Sequence, residues 1–135
     1  EYLNLKNFID KNNLSKNINL LGYKTNPFKY IKKADILILS SIFEGSPNVL
    51  IEAQFLKKYI ISTNCPTGPK EILKNGKLGS LVKIRDYKKI ASIIENFKFD
   101  KKVINKINLG SHNAKYYEYK INCLRYFKLI NKFLH

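Results

Sequence analysis

Arginine is almost missing from this chain. Arg85 and Arg125 are the only two in 135 residues, although Lys and Arg number 25 against 10 Asp and Glu, a net charge of +15. Specific nucleic-acid sites favour Arg, whose planar fork grips phosphate and stacks on bases. Here the charge is nearly all Lys, and Lys, Ile and Asn are overused along the whole sequence. That reads as a compositional bias, so no specific nucleic-acid partner is expected, and a basic nucleic-acid-binding domain is the weaker alternative. The charge does favour an anionic substrate or peripheral contact with an anionic membrane surface. Cysteine is scarce as well. Cys65 and Cys123 make no metal-ligand spacing, alone or with His112 and His135. They read as ordinary thiols of a reducing compartment. No apolar run approaches the roughly 20 residues of a membrane-spanning helix. The opening EYLNLKNFIDKNNL lacks the basic-then-apolar pattern of a secretory leader. The expected location is the cytoplasm, extending to the inner face of the membrane. The first residue is Glu rather than Met, so a piece of a longer chain is expected, or one whose front was removed.

What is present is an ordinary globular composition, 44% hydrophobic and 26% charged, enough for one sizeable core. Leu3, Phe8, Ile9 and Leu14 suggest a loosely amphipathic first helix. INLL (18–21), closed by Gly22, suggests a short strand. NPFKYIKKA (26–34) suggests a helix with Asn26 as N-cap and Pro27 at the first helical position. DILILS (35–40) reads as a buried strand, followed by a loop and a helix over 47–57. YIISTN (59–64) is a second buried strand, CPTGP (65–69) a loop, KEIL (70–73) a helical turn, and NGKLGSLVK (75–83) a turn and a strand. RDYKKIASIIENF (85–97) is a helix capped by Asp86, with Ile90, Ile93, Ile94 and Phe97 on one face. Strands alternating with helices over short connections predict an α/β domain, a Rossmann-like parallel sheet with helices on both faces, over residues 1–99. Residues 100–135 form a helical tail. Its stripe of Tyr116, Tyr119, Cys123, Tyr126, Ile130 and Phe133 is interleaved with Lys115, Lys120, Arg125, Lys128 and Lys132. Such a helix packs on the domain, on a partner domain, or on a membrane surface.

The stretch SIFEGSPNVLIEAQFL (41–56) holds two glutamates, Glu44 and Glu52, with seven residues between them. Ser46 is a suitable N-cap, and Pro47 sits where its missing N–H costs nothing. The helix then starts after Gly45. Its first turn, Pro47 to Leu50, offers free N–H groups and the positive end of the helix dipole, which suits a phosphate. Glu52 falls on a helix apolar nearly all round, where a lone carboxylate is costly without hydrogen-bond donors. No Lys or Arg lies between Lys33 and Lys57. A ribose or sugar diol would donate to such carboxylates. Equally, Glu44 could favour the helix dipole alone, and Glu52 could pair with a distant Lys such as Lys70.

LSSIFEGSPNVLIEAQFLKKYIISTNCPTGPKEIL resembles the donor-binding segment of retaining glycosyltransferases of family 4, the group 1 family with the GT-B fold. The motif is Glu, seven residues, Glu, then a strand ending in Ser/Thr and a Gly/Pro-containing loop. The flanks from Asn17 to Phe97 match too. The resemblance implies the C-terminal, donor-binding half of a GT-B enzyme, transferring a sugar from a nucleotide-diphosphate sugar to a glycan or lipid-linked acceptor with retention. NCPTGPKEI is similar to transferases using UDP-hexose or UDP-N-acetylhexosamine. Glu44 would position the transferred sugar and is the candidate catalytic residue. Gly45, Ser46, Pro47, Asn48, Val49 and Leu50 would surround the sugar and diphosphate. Glu52 would hold the ribose diol, and Gly22 and Tyr23 would border the base. There is no D-x-D motif, so no metal and no other cofactor is expected for the donor step. Whole enzymes of this kind add an N-terminal Rossmann-like domain, with an Arg and a Lys for the diphosphate upstream of the matched region. Lys6, Lys11 and Lys16 do not fit that context. The 135 residues alone are therefore expected to bind donor weakly and to transfer little or no sugar. The alternative is a truncated, non-catalytic nucleotide-sugar-binding remnant.

Overall fold

Three short strands, β1 (Ile36–Leu39), β2 (Tyr59–Thr63) and β3 (Ser80–Val82), lie in that order in one parallel sheet. Residues 1–133 are described in this computed structural model. Ile36 pairs with Tyr59 and Leu39 with Ser62, while Ile61 pairs with Ser80 and Thr63 with Val82. Every residue of β2 is buried. A central parallel strand covered on both faces needs β-branched and aromatic residues at successive positions, and Tyr-Ile-Ile-Ser-Thr supplies them.

Alternation along β2 separates two cores. Ile60 packs with Ile31, Leu50, Ala53, Ile72, Leu73 and Leu78. These come from β2, the helices α2 (Phe28–Lys33), α3 (Asn48–Phe55) and α4 (Pro69–Ile72), and the turns after α4. Tyr59, Ile61 and Val82 face the other way, against Ile90, Ile93 and Phe97 at α5 (Tyr87–Glu95) and Val103 and Ile107 of α6 (Lys101–Ala114). The α/β architecture with helices on both faces is therefore as expected. Asp86 caps α5 by accepting from the Lys89 amide at 3.0 Å, and Asp100 caps α6 by accepting from the Val103 amide at 2.8 Å. Ile94, expected on the packed face of α5, is instead exposed.

The far end of α6 lies against α3. A Cβ at Gly110 would sit 3.3 Å from Cγ of Gln54, so the small residue permits this close approach. Beside it runs a buried polar chain. Asn113 Nδ2 donates to Gln54 Oε1 at 3.1 Å, and Gln54 Nε2 donates to the Ile72 carbonyl at 3.1 Å. Asn113→Leu leaves the buried Gln54 oxygen without its donor, at a cost of about 1–3 kcal/mol. Urea unfolding reads this as a lower midpoint; an unchanged midpoint would show that α6 docks through apolar contact alone.

Several expectations need correction. Residues 18–21 form no strand: the Ile18 amide bonds to the Leu14 carbonyl at 2.9 Å, closing a turn, and Ile18 and Leu21 are exposed. With its first amide spent on that turn, the segment does not join the free edge of β1. Consequently β1 is an edge strand, only half-buried, with Ile38 exposed. Pro27 and Pro47, not Asn26 and Ser46, occupy the cap positions of α2 and α3, and neither helix has a side-chain cap. Helix α1 (Tyr2–Lys11) buries only Ile9.

The tail departs furthest. A 3-10 turn over Lys115–Tyr117 separates α6 from α7 (Tyr119–Phe133), so the stripe is broken after Tyr116. No residue of α7 is buried. Its attachment runs through Arg125, whose Nη1 donates to the Tyr116 carbonyl at 3.3 Å and whose guanidinium lies 5.3 Å from the Tyr116 ring centroid. Ile121 shares that cleft. At about 3.6 residues per turn, Tyr119, Tyr126, Ile130 and Phe133 lie on the opposite side, and Phe133 is 81% exposed. The aromatic face of α7 therefore points away from the domain, one of the three surfaces expected to receive it.

Candidate functional site

The loop after β1 is held at its root by hydroxyls. Thr63, the last residue of β2, donates from Oγ1 to the Ser41 carbonyl at 2.6 Å. Ser41 Oγ donates to Glu44 Oε1 at 2.6 Å, which fixes the direction of that half-buried carboxylate. Thr67 Oγ1 donates to the Glu44 carbonyl at 2.5 Å. Short side chains at the carboxyl ends of parallel strands thus lock Glu44 at the edge where α/β sheets bind ligands.

Gly68 completes this latch. Its φ of +96° is a conformation that side chains resist. A Cβ there would lie 2.5 Å from Pro47 Cδ and 3.1 Å from the Gly45 carbonyl oxygen. The loop after β2 therefore sits directly on the start of α3. Gly45 itself has open space where a Cβ would stand.

The amides at the start of α3 are fewer than expected. Pro47 has no N–H, and the Leu50 amide bonds to the Pro47 carbonyl at 3.0 Å. Leu50 is fully buried as a core residue. The free donors of the first turn are thus the Asn48 and Val49 amides, with no side chain capping the helix. Ser46 is exposed and supplies no cap. An anion approaching here would meet two amides and the helix dipole.

Glu52 is not the sealed-in acid that the apolar run suggested. It is half-buried, because α3 exposes one side and Phe55 is 71% exposed. Glu52 lines a mostly apolar groove of about 300 Å3 with Phe28, Ile51, Phe55, Lys115, Tyr117 and Glu118. Lys70 lines a different cleft, of about 440 Å3, with Cys65, Thr67, Gly68 and Glu71. The structure thus groups Glu44, Gly45 and Pro47 with Thr67 and Gly68, and sets Glu52 in its own groove on α3. Gly22 has φ +61° and open surroundings, and Tyr23 is 90% exposed, so this tyrosine is not a packed one.

Ser41, Thr63, Thr67, Gly68 and Glu118 were not singled out from the sequence. The first three carry a weak signal, a hydroxyl residue just past or ending a strand. Glu118 carries none, since only the turn between α6 and α7 brings it to Glu52. Cys65 is buried and Cys123 exposed, both as free thiols. Among the described residues no group of three or more His, Cys, Asp or Glu is placed to hold a metal ion; His135 lies outside the described residues. Among those residues, too, no helix is long and apolar enough to cross a membrane.

The family model described as Glycosyl transferases group 1 matches residues 1–115, the sheet and the Glu44–Glu52 segment included. The chain belongs to this family. The Methanocaldococcus jannaschii glycosyltransferase MJ1059 is 49% identical over 69 residues, which are 51% of this chain and 17% of that protein. A Campylobacter jejuni enzyme, N-acetylgalactosamine-N,N'-diacetylbacillosaminyl-diphospho-undecaprenol 4-alpha-N-acetylgalactosaminyltransferase, is 31% identical over 98 residues, 70% of this chain and 27% of that one. The crystal structure of a glycosyltransferase from Rickettsia africae superposes with a TM-score of 0.81 at 21% identity, over 98% of this chain and 36% of that chain. The fold is that of GT-B glycosyltransferases. The chain spans 17% and 27% of the length of these two curated relatives.

Proposed function

We propose that this glycosyltransferase domain holds a nucleotide-diphosphate sugar, UDP-hexose or UDP-N-acetylhexosamine, for retaining transfer to a glycan or lipid-linked acceptor. The observation that carries the reading is the Glu44 loop, pinned by Ser41, Thr63 and Thr67 beside the uncapped start of α3. In this reading Glu44 accepts from hydroxyls of the transferred sugar. The Asn48 and Val49 amides meet the diphosphate, whose negative charge grows as the bond to the sugar breaks; donors already in place stabilise that charge without reorganisation. Glu52 accepts from the ribose diol, Phe28 and Tyr117 supply apolar walls to its groove, and Gly22 and Tyr23 border the base. Donor binding proceeds without a metal.

The acceptor and the remaining diphosphate contacts belong to an N-terminal Rossmann-like domain of a longer enzyme. The likeness to the Rickettsia africae structure covers 98% of this chain, which accounts for 36% of that one. The bare aromatic side of α7 is the surface that such a domain would cover. A site completed at the inner face of a membrane accords with the charge of +15 and with the undecaprenol-linked acceptor in the name of the Campylobacter jejuni relative.

Calorimetry with UDP, GDP and ADP tests the reading. UDP binds most tightly, at sub-millimolar affinity, and chelating divalent metal leaves it bound. Equal and millimolar-or-weaker binding of all three nucleotides would overturn the nucleotide-sugar assignment.

A further inference from the structure

The opposite end of the sheet holds a further cavity. Tyr59 opens β2 and Ser80 opens β3, and both line a space of about 290 Å3 at the amino ends of the strands. The Glu44 loop lies at the carboxyl ends, about 13 Å away along β2 at 3.3 Å per residue. Lys89 of α5 and Lys102 and Lys106 of α6 reach the same space. Lys106 is half-buried and fixed: its Nζ donates to the carbonyls of Gly76 and Gly79 at 2.9 and 2.5 Å. One of its three N–H groups remains for another acceptor. Burial, and then the charge of Lys102, hold the Lys106 pKa below the usual lysine value.

None of the 10 acidic residues of the chain lines this cavity. Like charges gathered without a counter-charge oppose one another, and an anion between them relieves the repulsion. The polar wall suits an oxyanion. Ser80 and Tyr59 share a 2.7 Å hydrogen bond between their hydroxyls, Ser92 adds a hydroxyl, and Asn96 Nδ2, which donates one N–H to the Ser92 carbonyl at 2.8 Å, keeps the other. Phe97 forms an apolar side, where the ring or chain of an organic ligand can rest. The volume approaches that of pockets holding small organic ligands.

We propose that this cavity binds the phosphate monoester of a small organic molecule, its phosphate between Lys102 and Lys106 and its organic part against Phe97. The site is separate from the nucleotide-sugar reading and stands if that reading fails. The test is calorimetry of the full chain at near-physiological salt with glucose 1-phosphate, inorganic phosphate and glucose as probes. Glucose 1-phosphate binds one-to-one, inorganic phosphate binds more weakly, and glucose does not bind. Lys102→Gln and Lys89→Gln, both at exposed positions, each weaken the ester about tenfold. Lys16→Gln, the same charge loss on another surface, leaves it unchanged, as does saturating UDP. The proposal is overturned by no binding at millimolar ester or by equal weakening from Lys16→Gln. Displacement of the ester by UDP, or inorganic phosphate binding as tightly as the ester, would overturn it as well.

Discussion

Glu52→Ala weakens UDP itself about tenfold or more, whereas Glu44→Ala leaves UDP within about twofold and weakens UDP-sugar by a similar tenfold. A hydrogen bond to a charged acceptor is worth about 1.5–3 kcal/mol, and each 1.4 kcal/mol is about tenfold in affinity. The split follows from position. Glu52 lies four residues beyond Asn48, about 6 Å up the helix from its open amides at 1.5 Å per residue, in a groove of its own. Glu44 lies in the loop before them, held by Ser41. In the proposed reading one carboxylate meets the nucleoside and the other the sugar. Glu44→Gln separates orientation from charge, because an amide oxygen still accepts from Ser41. It retains the loop but not the full strength of a charged acceptor, so UDP-sugar binding falls between wild type and Glu44→Ala. Calorimetry with UDP and UDP-sugar on the four proteins decides the matter. If both substitutions act equally on sugar-free UDP, the division of labour is wrong.

Gly68→Ala should damage both stability and ligand binding. The substitution places a Cβ 2.5 Å from Pro47 Cδ, far inside contact distance, at a φ of +96°. Backbone strain of this kind costs about 1–3 kcal/mol, and the clash adds to it. Relief requires Pro47 to move, and Pro47 sets the direction of the Asn48 and Val49 amides. The expected outcome is a thermal midpoint lower by roughly 5–15 °C and UDP binding weaker by about tenfold or more. Gly76→Ala is the control. Its φ is also positive, +84°, but the nearest atom to the added carbon is the Gly79 carbonyl oxygen at 4.0 Å. It should lose about 1 kcal/mol of stability and bind UDP more nearly as the wild type does. Equal behaviour of the two variants would mean that strain alone matters and that the contact with Pro47 does not.

Much of this architecture was legible because local patterns and tertiary demands agreed. The run YIIST is apolar or β-branched throughout and became the one fully buried strand. Asp86 before an amphipathic run became a working cap. Misreadings arose where a pattern needs a partner that sequence does not name. INLL has strand composition but does not pair, because its first amide turns back to the Leu14 carbonyl. The tail stripe has helical spacing, yet spacing does not say which side attaches. Arg125 and Ile121, not the tyrosines of α7, face the body. At the site, the glutamate pair and its helix were visible in one contiguous stretch. The hydroxyls that orient Glu44 were not, because Thr63 and Thr67 are 22 and 23 residues from the atoms they bind.

The outer edge of β1 has a practical meaning. Among the described residues the sheet ends there, and the strand offers unpaired backbone groups flanked by an exposed Ile38. Such a border is a template for another strand. Concentrated solutions of this polypeptide should self-associate through it, and a charged side chain at position 38 should suppress that while leaving the interior undisturbed.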